Sequence, residues 1–144
     1  MENKPDFVAL ARDTFLSDGS FNLEKGDLLW AAMFHLKEWL FLMTPKSMEQ
    51  GQPSLQQIDG KAWYLVFTDS DKLRFYAEHN HNLDASGNAL FMTMTPDKAV
   101  EFAHNCLNLE VFGIRFNEWQ EHGWFSPMRN ITLFPDYLKA KNLI

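Results

Sequence analysis

Three groups of residues have types and spacings that could do chemistry. His79-Asn80-His81, with Glu78 and Asp84 beside it, offers two imidazoles and two carboxylates, all of which can ligate zinc. A structural zinc site needs four ligands at suitable spacing, and no third and fourth are identifiable in the sequence. The plainer reading is a helix end, with His near the negative pole of the dipole. His104 and Cys106 carry the residue types of a nucleophile pair. Two residues apart at a helix end they need not face each other, and a free Cys is commonly a small buried hydrophobe. Carboxylates are numerous, at Glu49, Asp69, Asp71, Asp97, Glu118 and Glu121. Any close pair could serve as general acid and base, but spacing in sequence does not fix spacing in space. There is no G-x-S-x-G, no P-loop and no dinucleotide fingerprint. No catalytic residue, metal or cofactor is therefore assigned.

The third group is the most informative. Arg115, Trp119, His122, Trp124 and Arg129 lie close together around the polar run 117–123. Trp and Arg dominate binding hot spots because each joins large area to directional polar contacts. These five are the expected partner-binding residues. The competing expectation is that both Trp side chains cover the sheet edge as core.

The elements that must position these residues follow from periodicity and punctuation. A helix is predicted over 5–16, with Phe7, Leu10, Ala11 and Phe15 on one face, stopped by Asp18-Gly19-Ser20. A second runs from about Leu23 to Lys37. It is apolar almost all round, so it must be deeply buried or covered by a partner. Trp39–Met43 and Ala62–Phe67 read as strands buried on both faces, able to pair as a hairpin. The polar, Gln- and Pro-rich segment 45–60 between them reads as a mobile loop. Thr68 is expected to cap a helix carrying Leu73, Phe75, Tyr76 and Ala77, with Asp71 closing a capping box. Thr95-Pro96-Asp97 opens another helix, carrying Ala99, Val100, Phe102 and Ala103. Both begin Asp-Lys and end His-Asn, which hints at a duplicated unit. Leu90–Met94, 111–116 and 124–126 are further strands, with Phe112, Ile114 and Phe116 on one face of theirs. Pro135 is placed in the first turn of a closing helix over 135–141. The whole is a single α+β domain: one mixed sheet of about five strands, helices packed on it, two of them N-terminal.

The run Tyr64-Leu65-Val66-Phe67-Thr68-Asp69-Ser70-Asp71-Lys72-Leu73 resembles the strand-Phe-Thr-helix signature of SseB-like proteins, in the N-terminal domain of the enhanced serine sensitivity protein. The apolar stretch 28–43, Met94-Thr95-Pro96 and the segment 125–130 fall where comparable elements would. The family's Asn-Pro-Gly-like turn is here Ser126-Pro127-Met128-Arg129-Asn130, a departure. The resemblance implies an α+β fold and a role without catalysis, and it supplies no catalytic residues.

Composition narrows the function classes. The 144 residues carry a formal charge of −6. Such a balance disfavours phosphate backbones, so no nucleic-acid partner is expected. The apolar stretch 28–43 is interrupted by His35, Lys37 and Glu38, so no membrane partner is expected either. A lone Cys106 and the sequence Met1-Glu2-Asn3-Lys4-Pro5 fit a cytoplasmic protein. The leading expectation is a small regulatory or protein-binding module. Homodimerisation through the apolar second helix is one version; masking of a basic effector by an acidic domain is another. The rivals are a hydrolase or transferase using dispersed carboxylates and His122, and a small-ligand sensor with a closed apolar cavity.

Overall fold

The computed structural model describes residues 5–144. These residues form six helices and six strands, in the order α1 (Phe7–Thr14), α2 (Leu23–His35), β1 (Trp39–Met43), α3 (Pro45–Gln50), β2 (Leu55–Ile58), β3 (Lys61–Phe67), α4 (Ser70–His79), β4 (Leu90–Met94), α5 (Pro96–Cys106), β5 (Gly113–Phe116), β6 (Trp124–Pro127) and α6 (Met128–Ala140). The expected α+β architecture with two N-terminal helices is present.

The sheet is mixed, in the order β4-β1-β3-β5-β6, with β2 on β3. β3 is its hub. One edge pairs in parallel with β5, Trp63 opposite Gly113 through Val66 opposite Phe116. The other edge is shared. Its C-terminal half pairs with β1, and its N-terminal half with β2. β1 and β3 thus pair antiparallel as expected, although not as a simple hairpin. Gly113 opens β5 because a Cβ there would collide with the Ser126 carbonyl of β6.

Alternation along β3 and β1 divides the interior in two. On one face Phe41, Tyr64, Val66, Ile114 and Phe116 meet α1, α2, α5 and α6 in the larger core. On the other, Leu42, Trp63, Leu65 and Phe67 meet Leu73, Tyr76 and Ala77 of α4. The two helices with matching ends, α4 and α5, therefore cover opposite faces.

Several boundaries differ from expectation, each for a local reason. Segment 45–60 holds a helix and a strand rather than an irregular loop. Thr44 caps α3 by accepting from Ser47 N, Ser47 Oγ accepts from Thr44 N in return, and Pro45 follows the cap. Asp59 and Gly60, at φ 53° and 76°, then make the tight turn that joins β2 to β3. At α4 the cap is Asp69, whose carboxylate accepts from Lys72 N at 2.9 Å. Thr68 instead pairs with Asn117. Thr95 does cap α5, accepting from Lys98 N at 3.3 Å. The last helix begins at Met128, so Pro135 lies inside it rather than in its first turn. Phe112 precedes β5, and its ring packs on Trp63 rather than beside Ile114. Finally, much of the apolar girth of α2 is used within the chain: Leu29, Trp30, Ala31 and Met33 are buried in the larger core, while Leu23 and Leu28 stay exposed.

Candidate functional site

Alternation in β5 sends Arg115 away from the buried Ile114 and Phe116, onto the face of Trp63. The register sets it opposite Phe125 of β6. Its guanidinium lies 4.6 Å from the Trp63 ring centroid. One terminal nitrogen donates to Asp59 Oδ2 at 3.1 Å, and the other donates to both oxygens of Glu118 at 3.1 Å. Hydrogen bonds between two charged groups are stronger than neutral ones. Arg115 therefore joins the β2–β3 turn, the sheet and the turn after β5. It is structural as well as surface-lying, and Arg115→Ala would remove a fastening rather than a solvated charge.

The segment 117–123 is held by three further contacts. Asn117 is buried, in the left-handed region (φ 51°) that Asn tolerates. Its amide oxygen accepts from Thr68 N at 3.0 Å, and its amide nitrogen donates to Thr68 Oγ1 at 3.2 Å. Gln120 Nε2 donates to the Lys72 carbonyl at 3.1 Å, tying the turn to α4. Between them stands Trp119, 56% exposed and left-handed at φ 67°. A bulky side chain at positive φ is a true outlier, which glycine or Asn would occupy at lower cost. The indole stacks on His79 (5.6 Å, 29° between planes), and Phe75 lies next at 6.5 Å. His79 Nδ1 is itself 2.8 Å from the Phe75 carbonyl. Arg115, Glu118, Trp119, Gln120 and Phe125 line a cleft of about 170 Å³.

The five expected residues thus divide. Arg115 and Trp119 come together. Trp124 also borders the cleft, but its ring stacks on Phe116 at 5.5 Å and only 5% of the residue is exposed, so it is core. Its position follows from β6 alternation, which turns Phe125 outward and Trp124 inward. His122 is exposed and left-handed (φ 56°) and does not line the cleft. Arg129 sits exposed in the first turn of α6, outside the cleft. Sequence reading missed Asp59, Phe75 and Phe125, and considered His79 and Glu118 for other chemistry without joining them to this cluster. Phe75 lies on the expected helix with Leu73 and Tyr76, but unlike them it is exposed. The available signal was its i, i+4 relation to His79, which puts both on one side of α4.

Other candidate chemistry is placed differently. Among the described residues no three His, Cys, Asp or Glu are grouped as metal ligands. Cys106 is buried and partners Tyr64 rather than the exposed His104. Burial pushes its thiol up. Burial, with the thiol beside it, takes the Tyr64 phenol up to about 12. No described helix is long and apolar enough to cross a membrane.

A second concavity, an open groove of about 470 Å³, runs between the α1–α2 connection, the outer edge of β6 and α6. Phe21, Trp30, Leu133 and Phe134 line it. Its one buried charge, Asp27, accepts from the Tyr137 hydroxyl and from Lys141 Nζ, both at 2.8 Å. Comparison with protein-family models and with curated proteins finds no match to this chain.

Proposed function

We propose that the chain is a protein-recognition module, SseB-like in kind, which acts through the Trp119 turn and performs no chemistry of its own. One observation carries the reading. Trp119 is exposed, yet its backbone conformation favours a residue without a bulky side chain. Neither core packing nor local conformation accounts for an indole there, whereas recognition does. The turn is also fastened by Arg115, Asn117 and Gln120, so the indole is presented on a rigid support. Rigid aromatic anchors bind with little loss of side-chain entropy. The titratable groups of the cleft are taken up in the Asp59–Arg115–Glu118 ion pairs, which leaves no free acid and base facing each other.

The test compares capture of partners from the native cell extract by the full chain and by Trp119→Ala. The variant is expected to keep its melting temperature and lose the captured protein, a change of about 2 kcal/mol or more in binding at a hot spot. Unchanged capture by a folded Trp119→Ala would overturn the reading. A second reading, small-ligand binding, is favoured by the 470 Å³ apolar groove with its single buried carboxylate. It predicts a thermal shift with apolar ligands that Trp119→Ala does not alter.

A further inference from the structure

Recognition by the Trp119 turn leaves open what chemistry the partner brings. The charges around the turn answer this. Residues 69–79 and 115–123, with Asp59 reaching in to Arg115, hold six carboxylates: Asp59, Asp69, Asp71, Glu78, Glu118 and Glu121. They hold three cations, and each is engaged. Lys72 pairs with Asp69 at 2.6 Å, Arg74 with Glu78 at 2.8 Å, and Arg115 with both Asp59 and Glu118 at 3.1 Å. Asp71 and Glu121 are exposed and have no cationic partner among the described residues. A further cation, Lys61, lies over the Phe112 ring at 4.3 Å.

The surface is therefore an aromatic step, Phe75-His79-Trp119, on elements with uncompensated negative charge: Asp71 lies one helical turn before Phe75 on α4, and Glu121 two residues after Trp119. His79 stacks on the indole, and more than half of Trp119 stays open. The electron-rich face of an indole attracts a cation, and Arg does so best because its flat guanidinium also stacks. The fold already contains one such contact, Arg115 on Trp63, stabilised by flanking carboxylates. The exposed surface repeats those ingredients without the arginine. A phosphate or an acidic segment would meet repulsion here, and an apolar segment would leave Asp71 and Glu121 unanswered.

We infer that the Trp119 surface binds a basic protein segment, with an arginine side chain of the partner stacked on Trp119 and its neighbours paired to Asp71 and Glu121. This rests on the proposed recognition role, and the experiment separates the two. The probes are hexa-arginine, hexa-lysine and hexa-glutamate peptides, titrated against the full chain at two salt concentrations. Two double variants each remove two charges: Asp71→Asn with Glu121→Gln at the turn, and Asp97→Asn with Glu101→Gln on α5, across the sheet. Hexa-arginine is expected to bind more tightly than hexa-lysine, and hexa-glutamate not at all. Trp119→Ala should weaken hexa-arginine by about tenfold, within reach of a partly desolvated cation–π contact. The turn double variant should weaken binding and flatten its salt dependence, while the α5 variant leaves both unchanged. Equal losses from the two double variants, or an affinity indifferent to Trp119→Ala, would overturn the inference. A captured partner that depends on Trp119 but binds without salt dependence would also overturn it, and would leave the recognition role standing. Capture indifferent to Trp119 would sink the role itself.

Discussion

Two tryptophans show how the same side chain can stabilise by different amounts at equal burial. Trp39 is fully buried and its Nε1 donates to the Met33 carbonyl at 2.8 Å. Trp124 is nearly as buried, but its Nε1 has no acceptor among the described residues. A buried donor without a partner costs about 1–3 kcal/mol. Trp39→Phe is expected to lose both packing and a satisfied bond, so it should cost about 2–4 kcal/mol. Trp124→Phe keeps the stack on Phe116 and removes the unpaired donor along with some volume. The two effects oppose, and the net change should be under about 1 kcal/mol. Denaturant midpoints of the two variants check this. Equal losses would mean that Trp124 Nε1 is satisfied in solution.

Among the elements, α4 and α5 invite a matched comparison. Asp69→Ala and Thr95→Ala should each cost about 0.5–2 kcal/mol, as a lost N-cap does. Thr68→Ala removes no cap. It frees Asn117 Nδ2 and loosens the 117–123 turn, so its loss should appear in amide exchange at residues 117–120 before it appears in helix α4. If Thr68→Ala frays α4 as Asp69→Ala does, the cap assignment is wrong. This pair also shows what was legible beforehand. Strands β1 and β4 were readable to the residue, because Trp39–Met43 is a run of apolar side chains and Leu90–Met94 is bounded by turn residues and Pro96. The capping residue at α4 was not, because Thr68, Asp69 and Ser70 are all good caps in a row, and tertiary pairing with Asn117 decides among them. The helix and strand within segment 45–60 were hidden by its composition, although Thr44-Pro45 and Asp59-Gly60 carry clear local signals. At the site, Arg115 and Trp119 were legible from strand alternation and a polar turn. Asp59, Phe75 and His79 come from distant stretches, and only the assembled sheet with α4 packed on it brings them near.

For the molecule as a whole, Asp69 at the acid end and Tyr64 and Cys106 at the alkaline end, the last two joined there by the raised Tyr76 phenol, make stability depend on pH. Burial raises the Asp69 carboxyl, but the Lys72 side chain and backbone donors outweigh it, and the net shift is downward from 3.8. A depressed carboxyl contributes stability above its unfolded value, and loses it as pH falls through the folded value. Tyr64 and Cys106 act at the other end. Tyr64 is raised from 10.0 to about 12 by burial and by the neighbouring thiol, and Cys106 is raised above 9.0 by burial. A raised phenol or thiol contributes fully below its unfolded pKa and loses that contribution as pH climbs toward the folded value. Stability should therefore decline from about pH 9 upward and again below pH 3.8. Tyr64→Phe should flatten the alkaline decline, and Asp69→Asn the acid one. Chemical denaturation across pH measures both, and an alkaline decline unaltered by Tyr64→Phe would remove Tyr64 from the account.

The unequal burial of the five tryptophans has an optical consequence. Trp30, Trp39, Trp63 and Trp124 are all within the interior, and Trp119 alone is open. A collisional quencher such as acrylamide therefore meets one indole in the native state and five in the unfolded chain. The emission it removes is the red-shifted, water-exposed fraction, and that fraction belongs to the residue assigned to recognition. The protein thus carries its own fluorophore at the proposed interface, and occupancy can be read from protection of Trp119 without attaching a dye.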